Sequence, residues 1–191
     1  MKLWITRPLP ETIIAAARKE FDVTVRANTA PLEETELRRA LREFDVVLPT
    51  LGDQFSAAVF AEMPNPRARM LANFGVGYNH IDVDAAKGAG VQVSNTPGAV
   101  TDATADIALT LMLMSARRAG EGERLVRSNA WEGWHPTQML GLHLSGKHVG
   151  IVGMGRIGQA IAKRCHFGFG MKVSYFNRSE KPMDFAATQI G

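Results

Sequence analysis

Three glycines constrain one segment of this chain more tightly than any other feature. In HVGIVGMGRIGQAIAKR, residues 148–164, Gly153, Gly155 and Gly158 form the pattern G-x-G-x-x-G. The apolar run VGIV precedes them, and Ile157, Ala160, Ile161 and Cys165 follow at helical spacing. A second apolar run, KVSYF at 172–176, comes after the helix. The glycines alone are a weak signal, but a strand before and a helix after make a strong one, that of a dinucleotide-binding unit. The first glycine permits the tight turn, the second lets the backbone approach a pyrophosphate, and the third lets helix and strand pack closely. Phosphates would rest on free N–H groups at the positive end of the helix. Gly153, Gly155, Arg156, Ile157 and Gly158 are therefore candidate cofactor-binding residues.

The first half of the chain alternates short apolar runs with helical patterns. Strands are expected over 2–6, 21–26, 45–50, 69–75 and 91–96. Helices are expected over 10–20, around Leu37, Ala40, Leu41 and Phe44, over 56–63, and between the last two strands. Such alternation implies a parallel sheet covered by helices. NTPGAVTDATAD, residues 95–106, marks a boundary, because Pro97 and Gly98 break the last strand before a long helix over 101–118. The core of that helix, IALTLMLMSA, is apolar nearly all round, which points to burial, between subunits as one option. Residues 128–147 are irregular. Residues 1–97 thus read as one domain and 98–191 as another.

With 191 residues the chain can build one large or two small cores. Its net charge of +3 comes from 22 basic and 19 acidic residues. The densest basic stretch, Arg117 to Arg127, is interrupted by Glu121 and Glu123 and reads as a solvated helix face rather than a nucleic-acid surface. One cysteine, Cys165, excludes an intrachain disulfide. No run of about 18 apolar residues occurs, so no membrane span is expected. The N-terminal apolar run is too short for a signal peptide, and a cytoplasmic location is the default.

NFGVGYNHIDVDAAKGAGVQVSNTPGAVTDATADIALTLMLMSARR, followed by GIVGMGRIGQAIAKR, resembles the D-isomer-specific 2-hydroxyacid dehydrogenase family. Within it, the NADPH-dependent glyoxylate/hydroxypyruvate reductases are the nearest likeness. The matching motifs are Gly75 to Tyr78, Asn95 to Gly98, Thr104 to Asp106, and Trp131 with Trp134. The resemblance implies an α/β fold, with a flavodoxin-like parallel-sheet substrate domain followed by a Rossmann dinucleotide-binding domain. It implies hydride transfer from a reduced nicotinamide to the carbonyl carbon of a 2-oxo acid. Backbone N–H groups of Val76 and Gly77 would hold the substrate carboxylate, as adjacent N–H groups in a turn can. Leu51 and Gly52 would close over the substrate's other end, and Thr104 would lie at the cofactor. A homodimer through residues 101–140 is implied, with Trp131 and Trp134 as anchors. A hinge is expected at Asn95 to Ala99, where Pro97 is stiff and Gly98 permissive.

The family also uses an arginine, a carboxylate and a histidine, all well downstream of the second cofactor strand. None of His80, His135, His143, His148 and His166 fits that histidine's motif. No catalytic residue is therefore assigned in this chain; the three are expected beyond Gly191. An apolar strand such as VGIV calls for covered faces and edges. The chain accordingly reads as an incomplete Rossmann domain, or a truncated product whose open edge another chain fills. By itself it is not expected to reduce 2-oxo acids. Other readings are a non-catalytic, corepressor-like nucleotide sensor, or a phosphoglycerate, formate or phosphite dehydrogenase.

The cofactor expectation rests on Asn177, Arg178 and Ser179. Asn177 lies 177 − 153 = 24 residues after the first loop glycine, where an NAD-binding unit often has an acid for the ribose hydroxyls. An amide there removes repulsion toward a 2′-phosphate, and Arg178 and Ser179 add a planar cation and a hydroxyl. NADP(H) is thus expected in preference to NAD(H).

Overall fold

A computed structural model describes every residue from Met1 to Gly191. The chain divides into two units, Met1–Ala99 and Val100–Gly191.

The first unit runs β1 (Lys2–Ile5), α1 (Glu11–Arg18), β2 (Asp22–Val25), α2 (Glu34–Glu43), β3 (Val46–Leu48), α3 (Ala57–Ala61), β4 (Met70–Ala72), α4 (Val83–Gly88) and β5 (Gln92–Ser94). Its sheet is wholly parallel, in the order β2-β1-β3-β4-β5. This is the flavodoxin-like order, in which ligands bind at the carboxyl ends of the strands. α2 shows why these elements form where they do. Glu33 and Glu36 make a reciprocal capping box, and Leu37, Ala40 and Leu41 bury one helical face. That face meets Trp4, Val47, Phe55 and Leu71 in the larger core. Leu3 and Ile5 point to the other side of the sheet, where Ile14 of α1 packs on them.

One buried carboxylate ties this unit's loops together. Asp53 is completely buried. Its Oδ2 accepts from the Thr6 hydroxyl at 2.7 Å and from the Thr50 N–H at 3.0 Å. Its Oδ1 accepts from Arg7 Nη2 at 2.7 Å and from the Leu32 N–H at 3.0 Å. Burial alone would raise the Asp53 pKa; the four donors outweigh it and hold the carboxyl below its ordinary value.

The second unit holds α5 (Thr101–Ala116), α6 (Ala119–Arg127), β6 (His148–Val152), α7 (Arg156–Phe169), β7 (Lys172–Phe176) and β8 (Ala187–Gln189). The expected helix over 101–118 stops at Ala116. Arg118 takes the left-handed conformation, φ +55°, and α6 starts afresh. Pairs between Arg118 and Glu121 and between Arg127 and Glu123 make α6 a solvated face. α5 lies on α7 around Leu109, Cys165 and Met171, and Arg164 of α7 reaches Asp102 and Asp106 of α5 at 3.0 and 2.7 Å. The parallel sheet runs β6-β7-β8. β8 carries no apolar run, and periodicity gives no sign of it. Read as β8-β7-β6, the sheet is the first half of the doubly wound order. β6 is an edge strand, paired with β7 alone, and Val152 at its end is exposed.

Removing the Asp53 carboxylate leaves the largely buried Arg7 without a counter-ion. Asp53→Ala is expected to lower unfolding stability by about 3–5 kcal/mol, measured by urea denaturation. The pH dependence follows from the lowered folded-state pKa. The carboxylate's contribution is fully present above the unfolded value of about 3.9 and is lost as pH falls through the folded value. Acid titration should therefore cost the unmutated chain more stability across that window than it costs Asp53→Ala.

Candidate functional site

In the first unit the chain leaves β4 through Asn73 and turns at Gly75–Gly77. Gly75 has φ +153°, open to glycine and strained for other residues. Every carbonyl of the turn is tied inward. Asn73 Nδ2 donates to the Gly75 oxygen at 3.1 Å and to the Gly77 oxygen at 2.8 Å. Asn95 Nδ2 donates to the Val76 oxygen at 2.8 Å, and the Thr96 N–H to the Gly75 oxygen at 3.0 Å. The N–H groups of Val76 and Gly77 meet no acceptor within the protein. Adjacent free N–H groups of this kind form an anion-binding concavity.

A cleft of about 330 Å³ opens beside them, lined by Leu51, Gln54, Gly77, Asn79 and His80. The Leu51 side chain is exposed and leans over the turn, with Cδ2 3.6 and 3.8 Å from where Cβ atoms on Gly75 and Gly77 would sit. Gly52 does not line this cleft. A Cβ there would lie 3.1 Å from Pro31 Cγ, so Gly52 serves close packing. His80 is buried, with Nε2 2.9 Å from Asn73 Oδ1. Burial pushes its pKa down, and the charge of Asp53 works against that shift.

In the second unit, Gly153 turns the chain out of β6 at φ +94°, and α7 begins at Arg156. A Cβ on Gly158 would stand 2.1 Å from the Gly153 carbonyl oxygen, so helix and strand approach as only glycine allows. A Cβ on Gly155 would meet nothing within 4 Å. Arg156 and Ile157 fill the first turn of α7, whose leading N–H groups have no intrahelical partner. Open space over Gly155 beside these donors fits a pyrophosphate.

The end of β7 meets this loop through Asn177. Its Oδ1 accepts from the Met154 N–H at 3.2 Å, and its Nδ2 donates to the Ser179 oxygen at 2.7 Å. Gln189 of β8 donates to the Asn177 carbonyl at 2.8 Å. Asn177 thus orders the turn besides removing a negative charge from it, which sequence reasoning missed. Arg178 and Ser179 are exposed, and neither side chain has a partner in the chain; Glu180 does not neutralise Arg178. Thr104 is exposed in the second turn of α5. Sequence reasoning also missed Asp53 and Asn73, and gave Asn95 only a place in the hinge motif.

The family model for "D-isomer specific 2-hydroxyacid dehydrogenase, catalytic domain" matches residues 3–189. The glyoxylate reductase of Thermococcus kodakarensis is 42% identical over 185 residues, covering 95% of this chain and 55% of the relative. The glycerate dehydrogenase of Hyphomicrobium methylovorum is 41% identical over 176 residues, covering 92% and 54%. The chain therefore spans about half the length of these relatives. The crystal structure of the TT0316 protein from Thermus thermophilus superposes with a TM-score of 0.89 at 38% identity, covering 99% of this chain and 60% of that one. No helix is long and apolar enough to cross a membrane.

Two glycine substitutions separate packing from ligand space. Gly158→Ala drives a methyl into the Gly153 carbonyl and should cost about 1–3 kcal/mol or more in thermal or urea unfolding. Gly155→Ala should leave stability nearly unchanged. It should lower dinucleotide affinity, read by calorimetric titration, because its methyl enters the open space.

Proposed function

The chain belongs to the D-isomer specific 2-hydroxyacid dehydrogenase family, and from that premise we propose that the protein reduces a small 2-oxo acid, glyoxylate or hydroxypyruvate, to the 2-hydroxy acid with NADPH. The observation that carries this reading is the Gly75–Gly77 turn, whose inward carbonyls leave the Val76 and Gly77 N–H groups free beside the Leu51 cleft. Two N–H groups side by side suit a carboxylate, and the small cleft suits a short acid. Relatives named glyoxylate reductase and glycerate dehydrogenase favour the same substrates.

When bound, the nicotinamide supplies the hydride that adds to the carbonyl carbon. This chain's residues bind and orient. Val76 and Gly77 take the carboxylate, Leu51 shields it from water, and the loop from Gly153 to Gly158 takes the pyrophosphate. Thr104, on α5, stands by the cofactor. Asn177 shapes the turn from which Arg178 and Ser179 take the 2′-phosphate. No histidine is assigned to proton transfer. His80 is engaged with Asn73, His148 with Ser174 Oγ at 2.8 Å, and His166 stacks on Phe185. The setting is cytoplasmic.

Self-association is part of this reading. Ile107 and Leu111 of α5 are 59% and 60% exposed, and Trp134 is 81% exposed. Apolar groups this large and this exposed are the composition of an interface. A homodimer through residues 101–140 covers them. Light scattering should give twice the monomer mass at micromolar concentration; a monomer there would overturn this part.

The function is tested by reduction of glyoxylate and hydroxypyruvate with NADPH by the full-length protein; no turnover with either acid would sink it. The cofactor preference is tested by titrating NADPH and NADH. Two charge-assisted hydrogen bonds at about 1.5–3 kcal/mol each favour NADPH by roughly 10²–10⁴-fold. Arg178→Ala should remove about half of that preference on a logarithmic scale. Equal affinities in the unmutated protein would overturn the preference.

A further inference from the structure

The side chains beneath the Gly75–Gly77 turn have no assigned role, and their hydrogen bonds run in one consistent direction. The Asn73 amide is 2% exposed and fully used. Its nitrogen serves the Gly75 and Gly77 carbonyls, so its oxygen faces His80. His80 Nε2 must therefore carry a hydrogen and donate to it. That bond fixes which way the amide points. A flipped amide would set its oxygen against two carbonyl oxygens and its N–H groups against the His80 donor. From the other side, Asn95 holds the carbonyl between those two, that of Val76.

A peptide's N–H points opposite to its C=O. Fixing the carbonyls of Gly75 and Val76 inward therefore turns the following N–H groups, those of Val76 and Gly77, outward. We propose that Asn73, oriented by His80 and assisted by Asn95, is a positioning residue that aims the Val76 and Gly77 N–H groups at the substrate carboxylate. The inference rests on the proposed carboxylate role of that turn and adds residues that touch no substrate through their amide groups. Glycine makes the turn permissive, and the two asparagines make it specific. Without them the Val76 carbonyl has no partner and the Gly75 carbonyl keeps only the Thr96 N–H, so the two donors are no longer held in convergence.

The test uses the full-length protein with NADPH bound, titrated with oxamate, which mimics a 2-oxo acid but is a poor hydride acceptor. Amide signals of Val76 and Gly77 are followed by NMR. Asn73→Asp keeps the shape and the acceptor for His80 but loses both donors. Asn95→Ala, at a half-buried position, removes the second latch with less risk to folding. Thermal melts check that each variant is folded. In both variants the Val76 and Gly77 signals of the oxamate-free protein should move, and oxamate should bind roughly tenfold or more weakly. The NADPH affinity should stay at the unmutated value, and KM for the 2-oxo acid should rise more than kcat falls. His80→Gln, which retains a donor, should restore more of the affinity than His80→Leu. Unchanged turn signals and unchanged oxamate affinity in a folded Asn73→Asp or Asn95→Ala protein would overturn the inference alone. No response of Val76 and Gly77 to oxamate in the unmutated protein would remove the carboxylate site and the inference with it.

Discussion

The Asp53 carboxylate accepts hydrogen bonds from three places that sequence order keeps apart: Thr6 and Arg7 after β1, Leu32 before α2, and Thr50 after β3. All lie at or near the carboxyl end of the sheet, where a parallel fold leaves its loops without ladder partners. A charge this deep is tolerated because every strong acceptor direction is met. Leu51 sits between Thr50 and Asp53, so the cleft wall inherits its position from that buried ion. The two neighbouring loops are built on opposite principles. The 50–53 loop is held from within by a charge, and the 75–77 turn is held from beneath by neutral amides. The second arrangement holds its carbonyls without placing a net charge beside the free Val76 and Gly77 N–H groups.

The second unit solves a related problem by close approach. Its free donors are backbone groups at the start of α7, and they are aimed by how near that helix begins to β6. The contact between Gly158 and the Gly153 carbonyl sets that distance. Leu109, Cys165 and Met171 then hold α7 against α5. Arg164 adds two exposed ion pairs to the same helix pair, and such pairs contribute little. The geometry of the loop is therefore a matter of packing volume, with charge in a minor role.

Features that repeat along the chain were legible in the sequence. Strand–helix alternation gave the parallel sheets, and the spacing of Leu37, Ala40 and Leu41 gave α2 its buried face. The glycine motifs marked both tight turns, because positive φ at Gly75 and Gly153 and the close contact at Gly158 leave few other residues possible. Features that depend on one long-range bond were not legible. Asp53 looks like any loop aspartate until Thr6, 47 positions away, is folded against it. β8 has three residues and only one of them apolar, so it has no period to detect. The end of α5 was missed because Arg118 adopts a left-handed conformation that its side chain does not announce. The close approach of Pro31 to Gly52 was likewise not legible, because it joins residues 21 positions apart.

Asn177 serves two places with one amide: its oxygen holds Met154 in the Gly153–Gly158 loop, and its nitrogen holds the turn that carries Arg178. The Gly153–Gly158 loop and the Asn177–Ser179 turn are thereby mechanically joined. An aspartate could replace the oxygen's bond but offers no donor to Ser179, so a single exchange toward an acidic residue would loosen the turn it was meant to retune. An acidic exchange at Asn177 is in consequence a paired problem. A new donor to the Ser179 carbonyl has to arrive with the new carboxylate, and the two changes are expected to be strongly non-additive.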